Sequence, residues 1–256
     1  MVYHNYHLLS FSYYPLGVFF VLLGLFSSMV VWMKYGLMCG LVFSVLGLLY
    51  VVFVWNKDIY MEGLSGYHNF YVMTGFKYGL VLFVFSELMF FFGIFWVFFD
   101  SSLVGGGELV LLCCSEGLVL VDPVGVPLLN TVILLSSAVM VTKCHSGILG
   151  GKGSVFSLFM TCVLGLAFLF VQFKEYSDCS FSISDGIYGS IFYLSTGFHG
   201  AHVMFGTVFL LLNLYRMLCS HFNSDHHLSL EFSIIYWHFV DVVWLFLFVF
   251  VYWWSY

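Results

Sequence analysis

Long apolar runs separated by short polar segments dominate this chain. They cover about 15–33, 37–55, 76–99, 127–149, 154–173, 187–219 and 232–254. At about 1.5 Å per residue, each can carry a helix across a hydrocarbon layer about 30 Å thick. Pro15 and Pro127 suit the first turns of the first and fourth helices, where a missing N–H costs nothing. Glycines inside the runs (Gly93, Gly165, Gly197, Gly200, Gly206) are expected where membrane helices approach closely. The pattern predicts an all-α polytopic membrane protein with seven transmembrane helices, residues 1–256 forming a single integral membrane domain.

Composition agrees. Hydrophobic residues make up 62% and charged residues 8%, against roughly 25% charged in an ordinary soluble domain. With Lys and Arg totalling 7 and a net charge of -6, no basic stripe suits a nucleic acid, so no nucleic-acid partner is expected. The seven cysteines include Cys113–Cys114 and form no C-x-x-C pair, so they read as small hydrophobes. The opening MVYHNYHLLSFSYYPLG has neither the basic start of a secretory signal nor the arginines of a transit peptide, so no removal is expected.

Charge placement predicts the topology. With the N-terminus inside, Lys57, Lys77, Lys143, Lys152 and Arg216 fall in or beside inside segments, leaving Lys34 and Lys174 outside. The opposite side then holds the 100–126 loop, with Asp100, Glu108, Glu116 and Asp122. It also holds the 175–186 loop, with Glu175, Asp178 and Asp185. Trp253 and Trp254 suit an interfacial anchor for the last span.

Glu87 stands out within the third run. It lies ten residues beyond Lys77, hence roughly 15 Å deeper and near the bilayer midplane. Its apolar neighbours favour the neutral acid over the anion. Two roles fit: a proton or ion relay, as in a transporter or channel, or a structural hydrogen bond within the bundle or to a partner. The structural role is favoured because no relay partner is evident.

The histidines offer little sign of a metal centre. His199 and His202 are spaced i, i+3, and His145 and His238 lie in other spans, but no Glu-x-x-His motif of a bundle di-iron site occurs. Helix–helix hydrogen bonds are the simplest use for them, with His226–His227 solvated in a loop and no metal expected. His238 and Asp241, i, i+3 neighbours, form an expected structural polar pair. Lys57, Asp58, Glu62 and His68, between the second and third spans, cluster as lipid head-group candidates, joined by Arg216 at the end of the sixth. Lys143 must either reach the inside interface or find a partner in the bundle. A metal-bearing oxidoreductase is the third class of reading, and it would show a haem or iron spectrum in the isolated chain.

KYGLVLFVFSELMFFFGIFW (77–96), VPLLNTVILLSS (126–137), SDGIYGSIFYLSTGFHGAHV (184–203) and YWHFVDVVWLFLFVFVYWW (236–254) resemble cytochrome c oxidase subunit III in its animal mitochondrial form. The likeness runs nearly end to end. It implies seven helices in two groups, the first two and then five, separated by a lipid-filled cleft. It implies a core subunit of the proton-pumping terminal oxidase in the mitochondrial inner membrane, with its N-terminus on the matrix side and C-terminus in the intermembrane space. The partners implied are subunits I and II, accessory subunits and phospholipid. Haem a and copper would reside in partner subunits, and this chain would hold no cofactor or catalytic residue of its own. Glu87 matches the family's buried helix-three carboxylate, and Glu62, His68 and Arg216 match positions near lipid head groups. Departures are Asp100 where many members have histidine, Asn56 for a tryptophan, and Lys143–Cys144 for a Trp-Ala pair.

Overall fold

Every apolar run becomes a helix, and several run further than the pattern predicts. The computed structural model describes residues 11–103, 119–151, 154–223 and 227–256. Among these it contains α1 (Tyr14–Tyr35), α2 (Cys39–Leu64), α3 (Phe70–Leu103), α4 (Val126–Leu149), α5 (Val155–Asp178), α6 (Gly186–Leu218) and α7 (Leu228–Leu247). A π-helical segment, Phe248–Trp253, continues α7. No strand occurs among the described residues, and all seven helices are long and apolar enough to cross a membrane. Pro15 and Pro127 sit in the first turns of α1 and α4 as expected.

Two boundaries correct the sequence reading. Helix α2 continues past residue 55 to Leu64, because KDIYMEGL contains no breaker before its glycine. The chain leaves the helical path at Gly66, whose φ of +83° suits a residue without Cβ. Lys57, Asp58 and Glu62 therefore stand on a helix and not in a connecting loop. Likewise α5 runs to Asp178 and buries Glu175, which the sequence placed in an acidic loop. The expectations for Glu108, Glu116, Cys113–Cys114, Lys152 and His226 lie outside the described residues.

The chain divides into two compact units, one up to Tyr78 and one from Gly79 onward. In the first, α1 and α2 turn back on one another through Gly36, at φ +71°. Their register is built on small residues. Gly17 faces Val51, Val21 faces Gly47, Gly24 faces Ser44 and Ser28 faces Gly40, so each step along α1 is matched by an equal step back along α2. Spacings of four, three and four keep these positions on one face of each helix, and small side chains let the backbones approach.

The second unit packs α4 to α7 around large side chains, with Phe91, Ile94 and Phe98 of α3 also buried. Trp237 on α7 is its hub. A Cβ on Gly165 of α5 would lie 2.7 Å from the indole Cη2, and one on Gly206 of α6 would lie 2.9 Å from Cε3. The indole N–H donates to Ser137 Oγ of α4 at 2.8 Å. One ring thus meets three other helices, and only glycine leaves room for it. Gly93, Gly197 and Gly200 face open space and mark no such approach.

Candidate functional site

Glu87 lies on the stripe of α3 that continues through Phe91, Ile94 and Phe98, so helical spacing turns it toward the second unit's core. There it meets His202 of α6, with Oε2 2.9 Å from Nε2. The other ring nitrogen, Nδ1, lies 2.6 Å from the carbonyl oxygen of Phe198, one turn earlier on α6. A carbonyl can only accept, so Nδ1 carries a proton. With Nδ1 already protonated, a hydrogen bond between Oε2 and Nε2 requires one further proton. Whichever atom holds it, the pair is neutral overall, as an acid with an imidazole or a carboxylate with an imidazolium. No net charge is then left among the apolar side chains around the pair.

Sequence reasoning left Glu87 without a partner. The signal for one is weak: His202 is 115 residues away in sequence, and nothing local distinguishes it from His199. Both members are only partly exposed, at 25% for Glu87 and 14% for His202. They open on an apolar groove of about 650 Å³ lined by Phe83, Phe90, Phe198, Phe205 and Tyr236. Phe90 packs edge-on against Phe198 with centroids 4.9 Å apart. His199 points the other way, fully buried between Phe168 and Trp244.

The expected hydrogen bond between His238 and Asp241 is not formed. Nδ1 and Oδ2 stand 4.0 Å apart, beyond hydrogen-bond range. The ring of His238 turns to the outer face, at 39% exposed, while Asp241 points inward at 6%. Spacing of i, i+3 brought the residues together without aligning them.

A buried polar network appears instead near the N-terminal end of α4. Asn130 Nδ2 donates to Gln172 Oε1 at 3.2 Å, Gln172 Nε2 donates to Glu175 Oε1 at 3.3 Å, and Tyr252 O–H donates to the same carboxylate oxygen at 2.6 Å. It joins α4, α5 and the π-helical segment. Its only sequence signal is polar residues, including the lone glutamine, within apolar runs.

The head-group candidates have distinct surroundings. In the first unit, Tyr14 O–H donates to Asp58 Oδ2 at 2.5 Å and its ring stacks on Trp55, so Asp58 ties α1 to α2. Asp58 and Glu62 are one helical turn apart. His68 packs against Gly63, where a Cβ would lie 3.1 Å from Nδ1, and against the ring of Phe76. Lys57 is exposed. In the second unit, Arg216 donates through Nη1 to Ser229 Oγ and lies over the Phe222 ring, 4.7 Å from its centroid. Ser229 Oγ in turn donates to Asn213 Oδ1 at 2.5 Å. Arg216 is thereby held in place at the junction of α6 and α7. Lys143 is exposed on the outer face of α4, which resolves its two readings in favour of the one that faces away from the bundle.

These features define a class: a multi-pass helical membrane protein with a carboxylate inside its third apolar helix paired with a histidine of the sixth. The family described as Cytochrome c oxidase subunit III matches residues 4–256, and the chain belongs to that family. It is similar to "Cytochrome c oxidase subunit 3" of Mus musculus, 44% identical over 98% of each chain. It is also 44% identical to that of Prototheca wickerhamii over 98% of each chain. The protein of the same name from Marchantia polymorpha is 48% identical over 81% of this chain and 80% of the other.

Proposed function

We propose that this chain is a core subunit of the terminal respiratory oxidase, the complex that passes electrons from cytochrome c to O2, and that it stabilises the catalytic subunit without a redox centre of its own. The observation that carries this reading is the family match from residue 4 to 256. The chain is an integral part of an oxidoreductase, while the chemistry belongs to the haem and copper of partner subunits. Subunits I and II are the proposed neighbours, with accessory subunits around them. Residues 1–256 serve as one integral domain of the mitochondrial inner membrane. The cation distribution supports a matrix-side N-terminus and a C-terminus in the intermembrane space.

Phospholipid is the proposed ligand. Lys57, Asp58, Glu62 and His68 offer mixed charge near the end of α2, and Arg216 offers a guanidinium already fixed by Ser229 and Phe222. The groove beside Glu87 and His202 is apolar and suits acyl chains. The assignment predicts that the chain comigrates with haem-bearing subunits on a native gel of detergent-solubilised membranes. Consistent separation from them would refute it.

The Glu87–His202 pair fastens α3 to α6. Glu87→Gln keeps an N–H that can donate to Nε2, so assembly is expected to survive, whereas Glu87→Ala leaves that half-buried nitrogen without this partner and packs worse. Loss of assembly in the Gln variant would show that an ion pair is required. A role in proton uptake is tested separately, with a pH-sensitive dye in oxidase vesicles. Slower uptake in Glu87→Gln supports exchange of the shared proton during turnover, and unchanged uptake reduces the pair to a structural link. Transport through Glu87 alone, the alternative reading, gains no support from a proton held between two side chains.

A further inference from the structure

Where α4 ends and α7 begins, three side chains that the oxidase reading leaves unused converge: His145, His227 and Glu231. One donor atom from each lies within 4.8 Å of the other two. The sequence reading placed His227 in a solvated loop; it is in fact 5% exposed, tucked under the start of α7. Its Nδ1 lies 3.1 Å from the carbonyl oxygen of Asn223. That carbonyl accepts, so Nδ1 donates, and in the neutral ring this leaves the lone pair on Nε2, the form a metal needs.

This lone pair has no aligned donor. His227 Nε2 is buried and makes no hydrogen bond, although Glu231 Oε1, one helical turn away, stands 3.3 Å from it. His145 Nε2 is likewise buried without a hydrogen-bond partner, and the two imidazoles lie with centroids 5.5 Å apart. Two buried imidazole nitrogens without hydrogen bonds thus lie beside a carboxylate, an arrangement that a cation would join. Donors on a tetrahedral zinc ion, at about 2.0–2.1 Å from the metal, are roughly 3.3 Å apart. The His227–Glu231 edge already has that separation, and the two edges to His145 are no longer than 4.8 Å.

The geometry points to a divalent metal site of the zinc class, held by His145, His227 and Glu231 with a remaining position for water. Two imidazoles and one carboxylate favour zinc-like ions over magnesium or calcium, which prefer all-oxygen ligands. The Asn223 carbonyl plays the usual orienting part by fixing the tautomer of a ligand histidine. A cleft of about 390 Å³ includes in its lining Asn223, whose carbonyl orients His227. Bound there, the metal would clamp the end of α4 to the start of α7.

The test is titration of the metal-free full chain in lipid nanodiscs with Co2+, read by visible d–d absorption, followed by displacement with Zn2+. One saturating equivalent is expected, with the intense bands of a low-coordinate nitrogen and oxygen site and no sulfur charge-transfer band. His227→Gln and Glu231→Gln are each expected to weaken binding by at least about tenfold. His145→Gln, at a partly exposed position, serves as the variant least able to disturb folding and is expected to do the same. Absence of saturable Co2+ binding by the unaltered chain would overturn the proposal and leave a proton as the occupant. Unchanged affinity in all three variants would overturn it too.

Discussion

The α1–α2 hairpin and the α4–α7 bundle draw on the same apolar alphabet and use it in opposite ways. The hairpin buries no residue completely. Its helices meet through glycine, serine and valine, and Phe19, Phe20, Phe43 and Phe53 point outward. The bundle turns its largest rings inward: Trp237, Trp244, Phe168, Phe192 and Tyr252 are among its most completely buried side chains. It also fastens them with Ser137, Gln172 and Glu175. Apolarity alone does not bring helices together in lipid, because the lipid is equally apolar. Close backbone approach or a specific polar link is needed, and the two regions exemplify one device each.

Gly165→Ala should give the largest effect on this contrast. Its methyl group would overlap the Trp237 ring and Thr207, and overpacking at a hub shared by four helices is expected to cost about 3 kcal/mol. Unfolding of the full chain in mixed micelles measures it. A loss below about 0.5 kcal/mol would mean that the indole moves freely and is no hub. Trp237→Phe should cost somewhat less, about 2 kcal/mol, through a cavity and the loss of the donor to Ser137 Oγ. Adding Ser137→Ala should then cost little more, since their shared bond is already gone.

Gly24→Ala in the hairpin should fall within about 0.5 kcal/mol of the unaltered chain, because its Cβ would stand 3.4 Å from a single serine oxygen, Ser44 Oγ. A cost equal to that of Gly165→Ala would erase the distinction between the regions. The smallest effect concerns thiol chemistry and leaves stability unchanged. Burial pushes the Cys179 thiol, just beyond α5, up to about 11. The thiolate is the nucleophile, so at pH 8 roughly one Cys179 in a thousand is reactive. Its maleimide labelling should rise about tenfold per pH unit and level off only near pH 11, while Cys39, exposed at the start of α2, is labelled first. A plateau near pH 9 would show that Cys179 is not shielded.

Much of this was legible in advance where the information is local. Pro15, Pro127 and the lengths of the runs located helices, and Glu87 announced itself because a carboxylate among SELMFFFG has no local rationale. The extension of α2 through KDIYMEGL was missed because polarity there resembled a loop although helix propensity did not change. The 4-3-4 spacing of small residues in α1 and α2 was present but gains meaning only when the two helices are aligned antiparallel. His227 looked solvated because HH in a polar stretch carries no sign of burial, although His227-x-x-x-Glu231 did place two ligand types one helical turn apart.

The sequence by itself determined that this chain lives in a bilayer, how many times it can cross, and to which family it belongs, because hydropathy and motif are properties of contiguous residues. Only the tertiary structure decided the partnerships: Glu87 with His202, Glu175 with Tyr252, Trp237 between Gly165 and Gly206, and His145 with His227. Each joins residues far apart in the chain. A side chain's protonation and partners depend on what folding places within about 3–4 Å of it, and no window of contiguous sequence contains that distance.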